Sequence, residues 1–488
     1  MRRKLAGVLL ALVMAAPAAA QFTAEEFLAR RARLATDMAG GALVVFGAAA
    51  PEADYLPFMQ AEDFRYLTGI TEPDAALVLT KREGVVSMVV FVQPRDPARE
   101  VWEGERLGVA GAEALTGLDA RASAELMPYL DSLLTLGLPL QVVGSVEIGR
   151  RGGRASRDQS RIDQLRGTHA GATFTDASAL IERLRARKSD AELAALRTAI
   201  EITVLAQQEA MRLIEPGMNE FEVEALIEYT FRRYGAERPG FASIVGSGPN
   251  STSLHYNAND RVMRDGDVVV MDVGALWGGY SADVTRTVPV GGTFSPEQRA
   301  LYGIVLDAQA AAERAAVIGV SWTELTQAAA RVLSDGLTRL GLIEASDAVY
   351  DAEGGGVRPQ MQLFYMHGLG HGIGLEVHDP NPWSRGLAVG GAFTIEPGLY
   401  VRADVLEHLP DTPRNRSLIE RIAPAVRRFA NIGVRIEDDY FLTQNGLERV
   451  SRAPREIDEI EALMAQPWTG PSPRNPSLVG RYGGGSGR

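Results

Sequence analysis

The chain contains no cysteine, and this absence excludes several kinds of chemistry at once. Disulfide frameworks, thiolate zinc sites, iron–sulfur clusters and cysteine nucleophiles all need a thiol. Any metal ion in this protein must therefore be held by oxygen and imidazole ligands. Only Lys4, Lys81 and Lys188 are lysines among the 50 basic residues, and we attribute this arginine bias to genome composition.

Basic residues are also fewer than acidic ones. The 488 residues include 62 acidic and 50 basic ones, which gives a formal net charge of -12. A nucleic-acid-binding protein needs a basic face, so we expect no nucleic-acid partner. The length predicts two or three domains, and the hydrophobic content of 46% is that of an ordinary folded protein.

No apolar run is long enough to span a membrane, but the N-terminus has the layout of an export signal. Basic residues at positions 2–4 precede an apolar run over positions 5–15, and Ala18 and Ala20 form a small-residue cleavage signal. This layout predicts a signal peptide over residues 1–20 and a periplasmic or secreted mature protein. The alternative is an uncleaved N-terminal anchor.

Two folded domains and a tail are expected after the signal. Strand-like runs alternate with helical stretches over residues 21–180, which predicts an α/β domain. Ser189 and Glu192 have the spacing of a capping box, which opens an amphipathic helix of a second domain over residues 181–465. Residues 466–488 are rich in Pro, Gly, Ser and Arg, and this composition predicts a disordered tail.

The second domain contains two stretches with a similar sequence pattern, which we call the internal echo. Gly217 is followed two positions later by the N-cap residue Asn219 and an acidic helix, and Gly319 is followed in the same way by Ser321. Two similar halves would place a site at their shared axis. The alternative is two unrelated helix starts.

Two aspartates flank a predicted hairpin. Asp272 lies in a buried apolar strand, where a carboxylate is costly unless it is paired or bound to a metal, and Asp283 follows a glycine turn. A loop at Trp277-Gly278 would set the aspartates directly opposite each other. A loop at Gly278-Gly279 would make them diagonal neighbours on one face, and a three-residue loop would place them on opposite faces. On one face, the two negative charges would repel each other and need a cation between them. The alternative is that one aspartate caps a turn and the other is solvated.

The histidines point to the same site. The chain has six, and His367, His371 and His378 fall within twelve residues of a glycine-rich run. A lone histidine is more often a satisfied core residue, but glycines between three of them let the backbone approach a site closely. A fourth, His255, follows Val-Gly-Ser-Gly-Pro-Asn, and the other two have no motif around them.

Two further acids lie at strand ends. Glu396 is part of Ile-Glu-Pro-Gly, and Glu437 is part of Arg-Ile-Glu-Asp. Alternation places Arg435 and Glu437 on one face of a strand, where the guanidinium could hold and orient a metal-bound carboxylate. Taken singly, each acid is better explained as a solvated carboxylate at a strand end.

Taken in order, these motifs form a series over residues 185–450: Val-Gly-Ser-Gly with His-Tyr, Met-Asp-Val-Gly, Ser-Ala-Asp-Val-Thr-Arg, His-Gly-x-Gly-His-x-x-Gly, Glu-Pro-Gly and Arg-Ile-Glu-Asp. The series resembles the pita-bread metallopeptidase family, closest to Xaa-Pro aminopeptidase (aminopeptidase P) and prolidase. Asp-Phe-Arg-Tyr-Leu-Thr-Gly at 63–69 resembles the creatinase-like N-terminal domain of those enzymes. The resemblance implies an α/β creatinase-like N-terminal domain and an α+β pita-bread catalytic domain.

Carried over position by position, the resemblance implies two divalent metal ions bound by four carboxylates and one imidazole, namely Asp272, Asp283, His371, Glu396 and Glu437. The oxygen-rich set suits Mn(II), with Co(II) or Zn(II) as alternatives. A hydroxide bridging the ions would attack the scissile carbonyl. Glu396 would be the general base or proton shuttle. His255, His367 and His378 would bind substrate, stabilise the oxyanion or move the proton to the leaving amine.

The resemblance implies an exported exopeptidase that releases the N-terminal residue from peptides with proline at the second position. One alternative is a prolidase limited to Xaa-Pro dipeptides. Another is a pita-bread protein that only binds peptides, and the five filled ligand positions argue against it. Proline-specific relatives are often dimers or tetramers, so a homodimer or homotetramer is expected.

Two departures from the family pattern bear on the pocket. Phe241 stands where close relatives often carry tyrosine, and a phenyl ring cannot hydrogen-bond a metal ligand as a phenol could. A polar, Arg-rich segment over residues 411–428 separates Glu396 from Glu437 and is similar to the longer spacing of prolidases. A loop there could narrow the pocket and limit substrate length.

Overall fold

The computed structural model describes residues 22–53, 56–144, 156–381 and 386–472. The predicted signal peptide and residues 473–488 of the predicted tail lie outside these ranges and stay predictions. In the described part of the chain, no helix combines the length and the apolar character that crossing a membrane requires.

The N-terminal domain is built on one mixed sheet. Its strands are β1 (Gly41–Phe46), β2 (Ala76–Arg82), β3 (Val85–Val92), β4 (Asp119–Ala122), β5 (Leu140–Val143) and β6 (Phe174–Asp176), in the order β4-β3-β2-β1-β5-β6. Its helices are α1 (Ala24–Asp37), α2 (Glu62–Thr68), α3 (Pro97–Glu103), α4 (Gly108–Thr116), α5 (Leu126–Thr135), α6 (Arg157–Thr168) and α7 (Ser178–Arg185). The parallel pairs β1–β5, β5–β6 and β3–β4 alternate with helices along the chain, which makes this an α/β domain.

The central strand β1 shows why both faces of this sheet are covered. All six of its residues are buried. Leu43 and Val45 pack in the same core as Leu34 of α1, whereas Val44 packs with Leu130 of α5 in a second core. A continuous apolar run is the pattern expected of a strand with helices on both sides.

The second domain, which the resemblance predicts to be catalytic and which is called the catalytic domain below, opens with α8 (Asp190–Leu213). This helix has the predicted capping box of Ser189 and Glu192. Its other helices are α9 (Glu220–Arg233), α10 (Pro296–Ala315), α11 (Trp322–Leu340), α12 (Pro413–Phe429) and α13 (Ile457–Met464). Its strands are β7 (Arg238–Pro239), β8 (Ile244–Ser247), β9 (Val268–Val273), β10 (Ala275–Trp277), β11 (Tyr280–Ser281), β12 (Val284–Pro289), β13 (Val349–Asp351), β14 (Val357–Pro359), β15 (Gly391–Ile395), β16 (Gly398–Val401), β17 (Ile432–Arg435), β18 (Asp438–Thr443) and β19 (Gly446–Arg449).

The strands of the catalytic domain pair antiparallel, in the ladders β8–β9–β12, β15–β18–β19 and β16–β17 among others. The helices bury apolar side chains against them in one continuous core, for example Ile202 of α8, Val305 of α10 and Leu333 of α11 beside Val269 of β9. Helices packed over an antiparallel sheet form the expected α+β arrangement.

The two predicted helix starts are both capped as expected. The Asn219 side chain accepts a hydrogen bond from the Phe221 amide at the start of α9, and the Ser321 side chain accepts one from the Glu324 amide at the start of α11. A cap satisfies backbone donors that the first turn of a helix leaves unpaired.

Buried charges join the two domains. Asp379 of the histidine-rich segment is bound by Arg185 Nη2 at 2.5 Å and by Lys188 Nζ at 2.9 Å. Arg185 is the last residue of α7, and Lys188 lies between α7 and α8. Arg185 Nη1 also contacts Asp63 of α2 at 2.8 Å. The segment that links the domains is therefore tied to both of them.

An arginine of α1 forms a second junction. The guanidinium carbon of Arg30 lies 4.7 Å from the ring centre of Phe22 and 4.3 Å from that of Tyr66. Its Nη2 lies 3.4 Å from the Tyr280 hydroxyl and 3.7 Å from the Glu192 carboxylate in the catalytic domain. Aromatic faces favour a cation that is removed from water, so this buried charge is compensated on several sides.

The first residues of the predicted tail lie against the catalytic domain. Trp468 Nε1 donates to Glu209 Oε2 of α8 at 3.0 Å, and Arg233 Nη2 donates to the Ser472 carbonyl at 3.3 Å. Residues 466–472 therefore follow the surface of α8 and α9.

Candidate metal centre

The glycine turn is the two-residue loop Gly278-Gly279. Trp277 of β10 pairs with Tyr280 of β11, which leaves only the two glycines between them. Their φ angles are 61° and 88°, and positive φ at both central positions is the type I′ geometry that glycine favours. Of the three loops considered from the sequence, the structure shows the second.

This loop brings the two aspartates together as diagonal neighbours. Asp272 of β9 pairs with Thr285 of β12, and Asp283 lies two positions before Thr285 on the same face. Asp272 is 8% exposed and Asp283 is 5% exposed. The alternative of one aspartate capping a turn and the other solvated is therefore wrong.

The histidine segment is held against strand β15. A Cβ atom added to Gly370 would lie 2.2 Å from the Thr394 carbonyl oxygen, so only glycine permits this approach. The His371 amide donates to Thr394 Oγ1 at 3.1 Å. His371 Nδ1 lies 3.1 Å from the Gly372 carbonyl, which can only accept, so Nδ1 carries the hydrogen and Nε2 has a lone pair.

The His371 Nε2 atom faces three carboxylates. It lies 3.5 Å from Asp283 Oδ2, 3.4 Å from Glu396 Oε1 and 3.9 Å from Glu437 Oε1. The ligand atoms of Asp283, His371 and Glu437 all lie within 4.8 Å of one another. An imidazole lone pair among carboxylate oxygens is the donor set of a divalent metal site without thiolates.

The pKa shifts of the side chains in this cluster also favour a bound cation. Burial raises the pKa of Asp283 well above its usual value, and the Glu437 and Asp272 charges raise it further. Burial likewise raises the pKa of Glu437 well above its usual value, and raises that of Glu396 to about 8. Burial lowers the pKa of His371 to about 4, so its imidazole is neutral at pH 7. Gathered carboxylates that repel one another are stabilised as anions by bound metal ions.

Three of the candidate ligands each have a buried carboxylate oxygen without a hydrogen-bond partner among the described residues, namely Asp272 Oδ1, Asp283 Oδ1 and Glu437 Oε1. A buried acceptor without a partner is costly, and metal coordination would satisfy it. The residues present therefore fit divalent metal ions.

Arg435 orients Asp272 rather than Glu437. Its Nη2 lies 2.5 Å from Asp272 Oδ2 and 3.4 Å from the Leu254 carbonyl, and its Nη1 donates to the Tyr400 hydroxyl at 3.0 Å. The guanidinium is 4% exposed. The prediction that Arg435 holds an acid of the cluster is thus supported by geometry, with the acid on β9 instead of its own strand.

The sequence reasoning missed two hydroxyl groups of this site. Thr285 Oγ1 donates to Glu437 Oε2 at 2.7 Å, and Arg435 Nε lies 3.3 Å from the same hydroxyl. The Tyr400 hydroxyl lies 2.9 Å from His367 Nε2. Thr285 could have been found from the hairpin, because it shares a face with both aspartates, whereas nothing local marks Tyr400.

These residues surround a cavity of about 520 Å³. All nine predicted site residues line it: Asp272, Asp283, His371, Glu396, Glu437, His255, His367, His378 and Arg435. Apolar side chains form the rest of the wall, including Phe241, Ile244, Leu254 and Val377. The structure brings the predicted residues together, and their individual roles stay predictions.

The three histidines that are not candidate ligands differ in their surroundings. His255 and His378 are exposed, and the His378 ring centre lies 4.1 Å from that of His371. His367 is more enclosed, and burial lowers its pKa to about 4, with a further lowering by the Arg435 charge. His367 is therefore neutral at pH 7. His255 and His378 are open to solvent at the cavity, and none of the three is fully buried in the core.

The Arg-rich segment is a helix outside the cavity. Helix α12 is capped by Thr412 and buries Leu418, Ile422, Val426 and Phe429, which recur at helical spacing. Residues 411–428 are all described, and none of them lines the cavity. The expectation that a loop here narrows the pocket is wrong, because the apolar stripe directs the segment to the core.

Comparison with known proteins agrees with this geometry. Residues 194–444 match the family described as metallopeptidase family M24, and residues 27–138 match the domain described as the aminopeptidase P N-terminal domain. The chain belongs to metallopeptidase family M24.

Individual relatives cover nearly the whole chain. The Xaa-Pro aminopeptidase of Escherichia coli strain K12 is 36% identical over 459 residues, which are 91% of this chain and 98% of that protein. The human Xaa-Pro dipeptidase is 30% identical over 445 residues, 85% of this chain and 87% of that protein. The solved structure of proline aminopeptidase P II from Yersinia pestis superposes with a TM-score of 0.77 at 34% identity, covering 91% of this chain and 100% of that chain.

The M24 assignment confirms the predicted fold class, an α/β N-terminal domain followed by a pita-bread catalytic domain. It also confirms that the chain is a hydrolase of the metallo-exopeptidase class. M24 enzymes bind divalent metal ions, and the acid–imidazole cluster is a possible site for them in this chain.

Proposed function

We propose that this M24 chain is an Xaa-Pro aminopeptidase, which releases the N-terminal residue from peptides with proline at the second position. The observation that carries the proposal is the cavity of about 520 Å³, in which five candidate metal ligands and an apolar wall face the same space. Full-length likeness to the Escherichia coli Xaa-Pro aminopeptidase supports it.

Asp272, Asp283, His371, Glu396 and Glu437 would hold two divalent ions, whose four positive charges balance the four carboxylates. Mn(II) suits this oxygen-rich set best, with Co(II) or Zn(II) as alternatives. Bound there, the ions would lower the pKa of a shared water molecule and so supply a hydroxide as nucleophile at neutral pH.

Glu396 and the histidines of the cavity would carry out proton transfer and substrate binding. Glu396 lies 3.4 Å from His371 Nε2 and 3.8 Å from His367 Nδ1, and it is placed to take a proton and return it to the leaving amine. His367 Nδ1 contacts the Gly368 carbonyl and His367 Nε2 contacts the Tyr400 hydroxyl, so the ring is held in place. The exposed His255 and His378 are better placed to contact the peptide and a developing oxyanion.

A kinetic comparison of two substrates tests the proposal. Metal-loaded enzyme should cleave a Xaa-Pro-Yaa tripeptide at least as well as a Xaa-Pro dipeptide, and should cleave a matched Xaa-Ala-Yaa peptide poorly. Chelation should abolish the activity and Mn(II) should restore it. Cleavage of the dipeptide alone would instead identify a prolidase, the alternative that the likeness to the human dipeptidase favours.

The third alternative is a protein that binds peptides without cleaving them. Metal analysis after Mn(II) loading distinguishes it, since a stoichiometry near zero together with peptide binding would support that reading. The unpartnered buried oxygens of Asp272, Asp283 and Glu437 favour metal binding instead.

The proposed enzyme is exported and self-associates. The signal over residues 1–20 supports a periplasmic or secreted location. Mass spectrometry of the protein from an exporting host should find an N-terminus near Gln21, and an intact Met1 would contradict export. Light scattering on purified protein should give the mass of a dimer or tetramer, and a monomer mass would contradict self-association.

A further inference from the structure

Two completely buried glutamines lie behind the candidate metal centre. Gln207 of α8 is 0% exposed, and its Nε2 donates to the carbonyl oxygens of Met271 at 3.0 Å and Val284 at 2.9 Å. Met271 directly precedes Asp272, and Val284 directly follows Asp283. One amide group therefore ties together the two strands of the hairpin at the positions of their aspartates.

Gln309 of α10 makes the corresponding pair of contacts on the other side. It is also 0% exposed, and its Nε2 donates to the carbonyl oxygens of Ile395 at 3.0 Å and Ile436 at 3.3 Å and lies 3.2 Å from Asp438 Oδ2. These residues directly precede Glu396 and Glu437. The second amide group therefore ties together the two chain segments that carry the glutamates.

The two glutamines occupy equivalent positions in the internal echo. Gln207 lies twelve positions before the N-cap Asn219 (207 to 219), and Gln309 lies twelve positions before the N-cap Ser321 (309 to 321). Each belongs to the first helix of its half and contacts the strands that carry acids of the same half. The equal spacing and the shared pair of carbonyl contacts support the echo over the alternative of two unrelated helix starts.

The direction of these hydrogen bonds follows from their partners. Carbonyl oxygens can only accept, so the amide nitrogen of each glutamine must face them. Gln309 Oε1 in turn accepts from Arg455 Nη1 at 2.9 Å, which holds the second amide from behind. Gln207 thus presents the two hydrogens of one planar group to two carbonyls, whereas Gln309 shares its two hydrogens among two carbonyls and the Asp438 carboxylate. In both cases the planar amide constrains how far apart the two carbonyls lie.

We propose that Gln207 and Gln309 are positioning residues of the metal centre, each setting the separation of one pair of acidic ligands. Gln207 sets the Asp272–Asp283 pair and Gln309 sets the Glu396–Glu437 pair. The inference rests on the proposed function, because it takes the same acids as ligands. Residues that orient metal ligands influence metal affinity and activity although they touch neither metal nor substrate.

The test replaces each glutamine by methionine, which has a similar length and volume but no donor. We expect Gln207→Met and Gln309→Met to weaken Mn(II) binding in calorimetry by about 10- to 100-fold. At saturating Mn(II) we expect the electron paramagnetic resonance signal of the bound ions to change and kcat to fall, with KM nearly unchanged.

Gln298→Met is the matched control on α10. Gln298 is 3% exposed, and its Nε2 donates to the Gly266 carbonyl at 2.9 Å, which adjoins no candidate ligand. This variant loses that hydrogen bond and the capping bond that Gln298 Oε1 accepts from the Ser295 amide at 2.8 Å, so its thermal stability should fall while Mn(II) affinity and resonance signal stay at wild-type values.

Gln207→Glu and Gln309→Glu provide a graded second series. At position 207 a carboxyl group buried among carbonyls stays protonated and keeps one donor, so Gln207→Glu should lie between wild type and Gln207→Met in Mn(II) affinity. At position 309 the neighbouring Arg455 favours the charged form, which has no donor, so Gln309→Glu should bind Mn(II) at least as weakly as Gln309→Met. They also keep the test usable where a methionine variant does not fold.

Wild-type Mn(II) affinity and resonance signal in the glutamine variants would overturn the proposal, even where their melting temperature falls as in Gln298→Met. Failure of the proposed function looks different. Wild-type protein would then bind Mn(II) without cleaving Xaa-Pro peptides, while the affinity ratios between variants would still report on positioning.

Discussion

At the scale of single residues, the site depends on groups that satisfy several buried partners at once. Arg435 contacts Asp272, Tyr400, Thr285 and the Leu254 carbonyl from one planar guanidinium. A planar fork with fixed donor directions can meet partners that a single ammonium cannot. The identity of such a residue therefore matters beyond its charge.

We expect Arg435→Lys to lower kcat/KM for a Xaa-Pro tripeptide by about 10- to 100-fold, because lysine keeps the charge near Asp272 but loses most of the other contacts. Steady-state kinetics at saturating Mn(II) measures the effect. Arg402→Lys is the control, since Arg402 forms an exposed pair with Asp404 at 2.8 Å. Equal activity of the two variants would contradict the role of the guanidinium.

At the scale of elements, the hairpin turn decides which face each aspartate occupies. The type I′ loop at Gly278-Gly279 sets the register, and a side chain at positive φ strains it unless that side chain tolerates the left-handed region. The metal centre therefore depends on two glycines that are not themselves ligands.

We expect Gly278→Val to lower the free energy of unfolding by about 1–3 kcal/mol, because a β-branched residue is strained at a φ of 61°. Gly278→Asn should cost much less, since asparagine tolerates this region. Urea unfolding of both variants makes the comparison at one position. Equal stabilities would show that the turn does not require positive φ there.

We expect helix α12 to contribute to stability and not to substrate length. Ile422 is 2% exposed in the main core. We expect Ile422→Ala to lower the free energy of unfolding by about 2–5 kcal/mol, while the ratio of tripeptide to dipeptide kcat/KM stays at the wild-type value. Urea unfolding and kinetics measure the two effects, with Arg421→Ala on the exposed face as control. A changed ratio of tripeptide to dipeptide kcat/KM would show that the segment does affect substrate length.

At the scale of the whole molecule, the site is connected to the domain junction. Asp379 follows His378 directly and accepts from both Arg185 and Lys188 between the domains. Burial alone would raise the pKa of Asp379, but Lys188 and Arg185 outweigh it and hold that pKa below 3.8. The ion cluster therefore stabilises the fold in its charged form.

We expect Asp379→Asn to lower the free energy of unfolding at neutral pH by about 3–5 kcal/mol, because it removes the one charged partner that the buried Lys188 has among the described residues and one of the three carboxylates around Arg185. The Asp379 contribution is present above pH 3.8 and is lost as the pH falls through its lowered pKa, so the difference from wild type should shrink in acid. Thermal melts across this range test the sign. Asp411→Asn, in an exposed pair with Arg416, should show little difference at any pH.

The capped helices and the resemblance to the family could be read from the sequence, and so could the candidate donor residues that line the cavity. These features are local, since each is carried by a short motif with its own spacing. It left three hairpin registers open at Asp272 and Asp283, because parity depends on the turn that forms. It also placed the Arg-rich segment in a loop, although Leu418, Ile422, Val426 and Phe429 already had helical spacing.

The partners of the candidate ligands could be found only in the folded chain. Arg435 reaches Asp272 rather than the acid on its own strand, Tyr400 reaches His367, and two glutamines of different helices tie the acid-bearing segments. These contacts join residues far apart in the chain, so they depend on how helices pack over the sheet. Local spacing carries no information about that packing, and for this reason the residues that position the metal centre became visible only in the fold.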